Sequence, residues 1–201
     1  MKDKIIETSL QQFLKHGIRK MTVQKLIEPM GISTKTVYKY FSNKEDLLKH
    51  CLLKHYSESV AHFDLLKDET SSPVFTMFKI WYNAIETDFG VNHIFYHDLN
   101  YYYPQLQDAV IGKFSKKYIL ALQQLITTGI EQGYLRNDIV PGMIPEVIGV
   151  LYSSITRTGQ FRKYKLTTFA LIQNTIDAYL RGICTEKGLK ELKKNYPLIT
   201  K

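Results

Sequence analysis

The sequence predicts an all-α protein of two parts, an N-terminal unit of three short helices and a longer helical remainder. Apolar residues recur at three- and four-residue spacing through most of the 201 positions, the signature of helices with one buried face. Strand signals are nearly missing: there is no Asn-Gly or Asp-Gly hairpin and no sustained alternation of apolar and polar residues. Capping residues and glycines, moreover, bracket the apolar runs in the order that helix ends require. With 44% hydrophobic and 23% charged residues the composition is that of a globular chain with enough apolar surface for one large core or two smaller ones.

The first helix places Ile6, Leu10, Phe13 and Leu14 on one face and stops where Lys15 and His16 precede Gly17. Thr22 is expected to cap a short second helix carrying Val23, Leu26 and Ile27, which Gly31 ends. Ser33 opens the third helix. Ser42, with Glu45 three residues on, reads as a capping box for the fourth, whose face of Leu47, Cys51, Leu52, Tyr56, Val60 and Phe63 predicts a long connector over residues 47–66. The polar stretch KDETSSP and Pro73 mark a break near residue 70, and Pro104, Gly133, VPGMIP and Gly159 punctuate the rest. Further helices are predicted over about 105–132, around Ile144 to Ile155, and around Phe169 to Ile183. The domains are therefore drawn as residues 1–46 and 47–201, the second being the part to which the family resemblance described below assigns ligand binding and dimerisation.

Charge is unevenly distributed. Residues 1–50 hold 10 of the 27 Lys and Arg but only 5 of the 19 Asp and Glu, so +5 of the +8 net charge lies in the first quarter. A basic leading segment on a nearly neutral body points to a polyanionic partner. No run of 18 apolar residues exists and MKDKIIETSL is too polar for a signal peptide, which predicts a cytoplasmic protein without membrane contact. Cys51 and Cys184 lie far apart inside apolar patterns and read as reduced packing residues.

Three short helices in about 40 residues, with Gly31 between the second and third, fit a helix-turn-helix whose third helix enters the major groove. Ser33, Thr34, Lys35 and Thr36 fill its leading turn, where hydroxyls donate or accept and a lysine can meet guanine. Val37 and Phe41, four apart, are expected to face the first two helices. Tyr38, Lys39 and Tyr40 flank that anchor and reach for phosphates, as do Thr22 and Lys44 at helix starts.

The stretch Thr22 to Leu47, TVQKLIEPMGISTKTVYKYFSNKEDL, resembles the DNA-binding signature of the TetR family of bacterial transcriptional regulators. Its T-V, G-I-S, T-V-Y-K-Y-F and S-N-K-E-D-L segments match in order. Ile27 and Met30 depart from the usual alanines, Lys35 replaces a small residue, and Pro29 lies in the last turn of the second helix, where it would remove a hydrogen bond. The resemblance implies a homodimer on a palindromic double-stranded DNA operator, with reading heads about 34–36 Å apart or a multiple of that. It also implies release or promotion of DNA binding by a small-molecule inducer, and most often repression.

For the dimer interface the resemblance points to the last long apolar faces, at Ile144, Ile148, Leu151, Ile155, Ile172, Ile176 and Tyr179, with Gly149, Ser153 and Ser154 allowing close approach; a monomeric core would carry the same stripes. Ten of the 25 aromatic residues crowd into residues 75–103. Phe78, Trp81, Tyr82, Phe95, Tyr101 and Tyr102 are the residues expected to line a site for an organic, partly apolar ligand, and Glu86, Asp88 or Asp98 would favour a cation. The plainer reading makes Phe78, Trp81, Ile85 and Phe89 a core stripe. His93 and His97, four apart, lack a third ligand fixed by sequence, so no metal is expected. The chain has no GxSxG, HExxH, Walker loop or dinucleotide-binding glycine turn, which argues against an enzyme and against a cofactor. The competing class is a helical sensor of a small molecule or partner that has lost operator recognition, a reading that Pro29 keeps open.

Overall fold

In the computed structural model, which describes residues 1–68, 72–158 and 160–196, the chain is helical throughout, with no strand among those residues. Gly159 and the centre of the KDETSSP stretch, expected as breaks, lie outside the described residues. The helices are α1 (Lys2–His16), α2 (Val23–Ile27), α3 (Thr34–Tyr38), α4 (Lys44–Asp68), α5 (Pro73–Phe89), α6 (His93–Tyr102), α7 (Pro104–Glu131), α8 (Met143–Thr156), α9 (Thr168–Gln173), α10 (Ile176–Ile183) and α11 (Glu186–Asn195). They sort into two compact units that are not continuous in sequence. The first holds residues 1–61 and 91–115, the second residues 62–90 and 116–201. Where the sequence reading drew one linear boundary after residue 46, the chain passes between units three times.

In the first unit Ile5, Phe13, Leu26, Val37, Phe41, Leu47, Phe95 and Leu99 share one core. α1 ends where Gly17 adopts φ 81°, a left-handed conformation that other residues resist. A Cβ at that position would also stand 2.7 Å from Ile94 Cγ2 and 3.1 Å from Asp98 Oδ2, so both backbone and space require glycine. Pro29 does not break α2. That helix closes at Ile27, and Pro29 sits in the first turn of a separate 3-10 segment, Glu28–Met30, where the missing N–H is no loss. Ile27 is buried and Met30 packs against the same core, so the bulk that departs from alanine is absorbed.

The start of α4 differs by one residue from the expected capping box. Asn43 is the cap, its Oδ1 accepting from the Asp46 amide at 2.8 Å, and Asp46 returns a carboxylate oxygen to the Ser42 amide at 3.0 Å. Glu45 is exposed instead. Competing caps one residue apart are decided by where the preceding loop leaves its amides, which Phe41 sets by burying its ring.

The second unit buries Phe63, Phe75, Phe78, Trp81, Ile85, Leu122, Ile126 and Leu135 together with Ile144, Ile148, Ile155, Ile172 and Ile176. The single helix expected across Phe169 to Ile183 is broken, because Asn174 and Thr175 turn the chain between α9 and α10. Thr175 Oγ1 donates to the Leu171 carbonyl at 2.7 Å there, a local bond that competes with helix continuation. Near the C-terminus Asp177, 1% exposed, accepts from Arg181 Nε at 2.8 Å and from the Tyr196 hydroxyl. Gly188 lies so close to the Tyr134 carbonyl that a side chain there would collide with it. No helix among the described residues is long and apolar enough to cross a membrane.

Candidate nucleic-acid interface

α3 is five residues long and would not hold alone in water. Its order comes from both ends and one face. At its start the Ser33 side chain accepts from the Thr36 amide at 3.3 Å, and the two hydroxyls sit 3.1 Å apart. On its inner face Val37 and Phe41 are 1% and 2% exposed. Burying each contributes about 1.5–3 kcal/mol, enough to fix the helix against α2 and the start of α4. The outer face is left polar: Ser33, Lys35, Tyr38, Lys39 and Tyr40 are exposed, and Thr34 and Thr36 half-buried. Thr22 caps α2 through Lys25 N at 3.3 Å and leaves Gln24 and Lys25 exposed beside it. The residues singled out on the third helix therefore stand together on one accessible surface.

Lys44 departs from its expected role as a free phosphate contact. Its ammonium donates to the Ile18 carbonyl at 2.6 Å, half-buried and 6.0 Å from the Phe13 ring centroid. Burial lowers its pKa, with the Asp98 charge opposing that shift. In this arrangement Lys44 fastens the start of α4 to the α1–α2 turn.

That turn is held from the other side by a residue sequence reading placed elsewhere. Asp98, 5% exposed on α6, accepts with one oxygen from the amides of Ile18 and Arg19, both at 2.8 Å. Asn92, the cap of α6, adds Nδ2 to the Lys15 carbonyl at 3.0 Å and its own amide to Leu14 O at 3.0 Å. Arg19 also donates to the Tyr102 hydroxyl at 2.6 Å with its guanidinium over that ring. α6 thereby clamps the end of α1. Asp98 is thus committed to backbone amides and not available to a cationic ligand. The only local hint was Gly17, whose left-handed turn presents successive amides outward; the partner 80 residues on has no local signal.

The six aromatic residues expected around a ligand are divided. Phe78, Trp81 and Tyr82 lie in the second unit's aromatic cluster, whereas Phe95 is core of the first, and Tyr101 and Tyr102 are 73% and 40% exposed. Asp88 accepts from the Tyr152 hydroxyl and Glu86 from the Tyr82 hydroxyl at 3.3 Å. The interface expected at Ile144, Ile148, Ile155, Ile172 and Ile176 needs correction as well, since all five are at most 1% exposed in the protomer's own core. A side chain already buried has no surface left to offer a partner. Leu151 and Tyr179 remain half-buried, and the outward face of α8 carries Met143 and Val150 at 56% and 67% exposure. His97 stacks on Tyr101 with its Nδ1 3.8 Å from an Asp98 carboxylate oxygen, and no three metal-ligating side chains gather among the described residues.

A capped, core-anchored helix with a basic and hydroxyl-rich outer face, set on two supporting helices, defines a helix-turn-helix regulator of transcription. Residues 5–51 match the model of the bacterial regulatory proteins, tetR family, and the N-terminal unit is similar to that family. Over 138 residues it is 23% identical to the HTH-type transcriptional repressor KstR2 of Mycobacterium tuberculosis, covering 67% of this chain and 69% of that one. The fold is shared with the structure of the ketosteroid transcriptional regulator KstR2 of the same organism, at a TM-score of 0.68, 21% identity and coverage of 92% and 95%. It is shared equally with the regulator FadR of Bacillus subtilis solved with stearoyl-CoA, at 0.68, 18% identity and coverage of 91% and 100%.

Proposed function

We propose that this chain is a TetR-family regulator, a cytoplasmic repressor that binds a palindromic double-stranded DNA operator as a homodimer and is controlled by an organic, partly apolar small molecule. The observation that carries the reading is the outer face of α3, with Ser33, Lys35, Tyr38 and Lys39 exposed above buried Val37 and Phe41. Lys35 and Thr36 read bases, and Thr34, Tyr38, Lys39, Tyr40 and Thr22 hold phosphates. Lys44 joins them only by giving up its bond to Ile18.

For the dimer, the outward stripe of α8 is the supporting surface. Met143 and Val150 are large apolar side chains in solvent, and a Cβ on Gly149 between them would meet nothing within 4 Å. Such a stripe gains from being covered by its own copy, with Leu151 and Tyr179 at its margin. For the ligand, the aromatic cluster of the second unit supports a molecule with apolar bulk. One related regulator is named for ketosteroids and another was solved with stearoyl-CoA, each of which includes a large apolar portion.

Selection from sheared genomic DNA at moderate salt, followed by sequencing, tests the DNA reading. One enriched palindrome, a changed preference with Lys35→Ala and a uniform loss with Tyr38→Phe are expected. Uniform recovery of fragments, or affinity unaltered by both substitutions, would refute it.

A further inference from the structure

Among the described residues of the second unit, the Trp81 indole is a buried polar group without a hydrogen-bond partner. Trp81 lies on α5 and is 7% exposed. A buried donor without an acceptor is destabilising by about 1–3 kcal/mol, and native proteins keep few of them. Its surroundings are aromatic and come from three other helices. The Tyr152 ring of α8 lies 5.8 Å away between centroids, the Tyr118 ring of α7 6.5 Å away edge-on, and Phe63 of α4 packs on Tyr118 at 4.3 Å.

The charges around this box are already committed. Tyr152 donates its hydroxyl to Asp88, and neither group accepts from the indole N–H. Burial, and then the Asp88 charge, raises the Tyr118 pKa, which keeps that phenol a neutral donor. The same causes hold Tyr152 protonated. The box thus contains donors, an engaged carboxylate and ring faces. A bridging water needs two to four polar partners, whereas a ligand needs to supply a single oxygen. A carboxylate there would meet the Asp88 charge at short range and low dielectric, which disfavours it. A cation brings no acceptor and would leave the indole N–H unmatched.

Building on the proposed ligand control, we infer that Trp81 is the polar anchor of the effector site and that the effector is an uncharged molecule presenting a carbonyl oxygen to the indole N–H, with an apolar body among Phe63, Tyr118 and Tyr152. The carbonyl can belong to an ester of an acyl chain or to a ketone on a fused-ring body. Both supply the same acceptor.

Trp81 is the only tryptophan, so a 15N-labelled protein has one indole N–H resonance and the anchor can be watched without mutation. The probes are a medium-chain methyl ester, a fused-ring ketone, an n-alkane of the ester's length and the matching fatty-acid anion. A carbonyl probe is expected to move the indole proton downfield and slow its exchange with solvent, while the alkane and the anion do not. Whichever carbonyl probe does so at lower concentration identifies the source. Trp81→Phe keeps a ring in place and should weaken that probe roughly 3- to 10-fold by calorimetry, the worth of one neutral hydrogen bond, and leave alkane binding unchanged. Equal indole shifts with carbonyl and alkane probes, an indole proton that exchanges freely with solvent, or equal weakening of every probe by Trp81→Phe would each overturn the inference. Operator selection on the same preparation separates the two readings. A palindrome without carbonyl preference sinks this inference alone, and carbonyl preference without a palindrome sinks the operator reading alone.

Discussion

Asp98→Ala is the most informative single change in the recognition unit. One carboxylate oxygen accepts two backbone N–H bonds, from Ile18 and Arg19, each at 2.8 Å. Hydrogen bonds to a charged acceptor are worth about 1.5–3 kcal/mol each. Ile18 is fully buried, so its amide has no water to turn to, whereas exposed Arg19 can rehydrate and recover most of its share. The loss also removes the charge that opposes desolvation of Lys44. Together these give about 2–4 kcal/mol, or a Tm lower by about 4–16 °C for a chain of this size. Because the chain has two units, hydrogen exchange is the sharper assay. The Ile18 amide should exchange about 30-fold faster or more, as should its neighbours at the end of α1, while amides of α8 and α10 hold their rates. Asp98→Asn keeps an acceptor oxygen and should lose about half as much. An Asp98→Ala protein within 0.5 kcal/mol of wild type, with Ile18 still protected, would refute the clamp argument.

Three further outcomes are expected. Ser33→Ala removes the cap of a five-residue helix and should lower stability by about 1 kcal/mol, read by urea titration, and weaken every DNA site through fraying of α3. Asp46 is held below the usual carboxylate range mainly by the Ser42 amide, so its contribution is in place above about pH 3.9 and lost as pH falls through the lowered value. Asp46→Asn should flatten the acid limb of a stability-against-pH curve without steepening the alkaline one. Val150→Glu puts a charge on the exposed stripe of α8. Sedimentation should then show a smaller species with unchanged helicity, and a wild-type mass would exclude that stripe from the interface.

How far the sequence could be read depended on the range of the contacts involved. Val37 and Phe41 are four apart, so one helical turn puts both on the same side whatever surrounds them, and both are buried as that spacing required. Caps Thr22 and Ser33 act over three residues and were legible for the same reason. The interface residues failed because an apolar stripe records only that a face is covered. Ile144, Ile148 and Ile172 are covered by α5 and its neighbours in the same chain, and the stripe reads identically in either case. The aromatic stretch over residues 75–103 was visible as composition, yet its division between two units was not, since that depends on where the chain turns at Gly90 and Val91.

By itself, then, the sequence determined the helical class, the short third helix and its inward anchor, because these rest on periodicity and on bonds spanning a turn or less. Tertiary structure alone decided that Asp98 serves the α1–α2 turn, that Lys44 is engaged with Ile18, and that the Trp81 N–H meets no acceptor among the described residues. Each of those facts depends on groups tens of residues apart being brought within 3 Å, or kept from it, and no local pattern encodes such a distance.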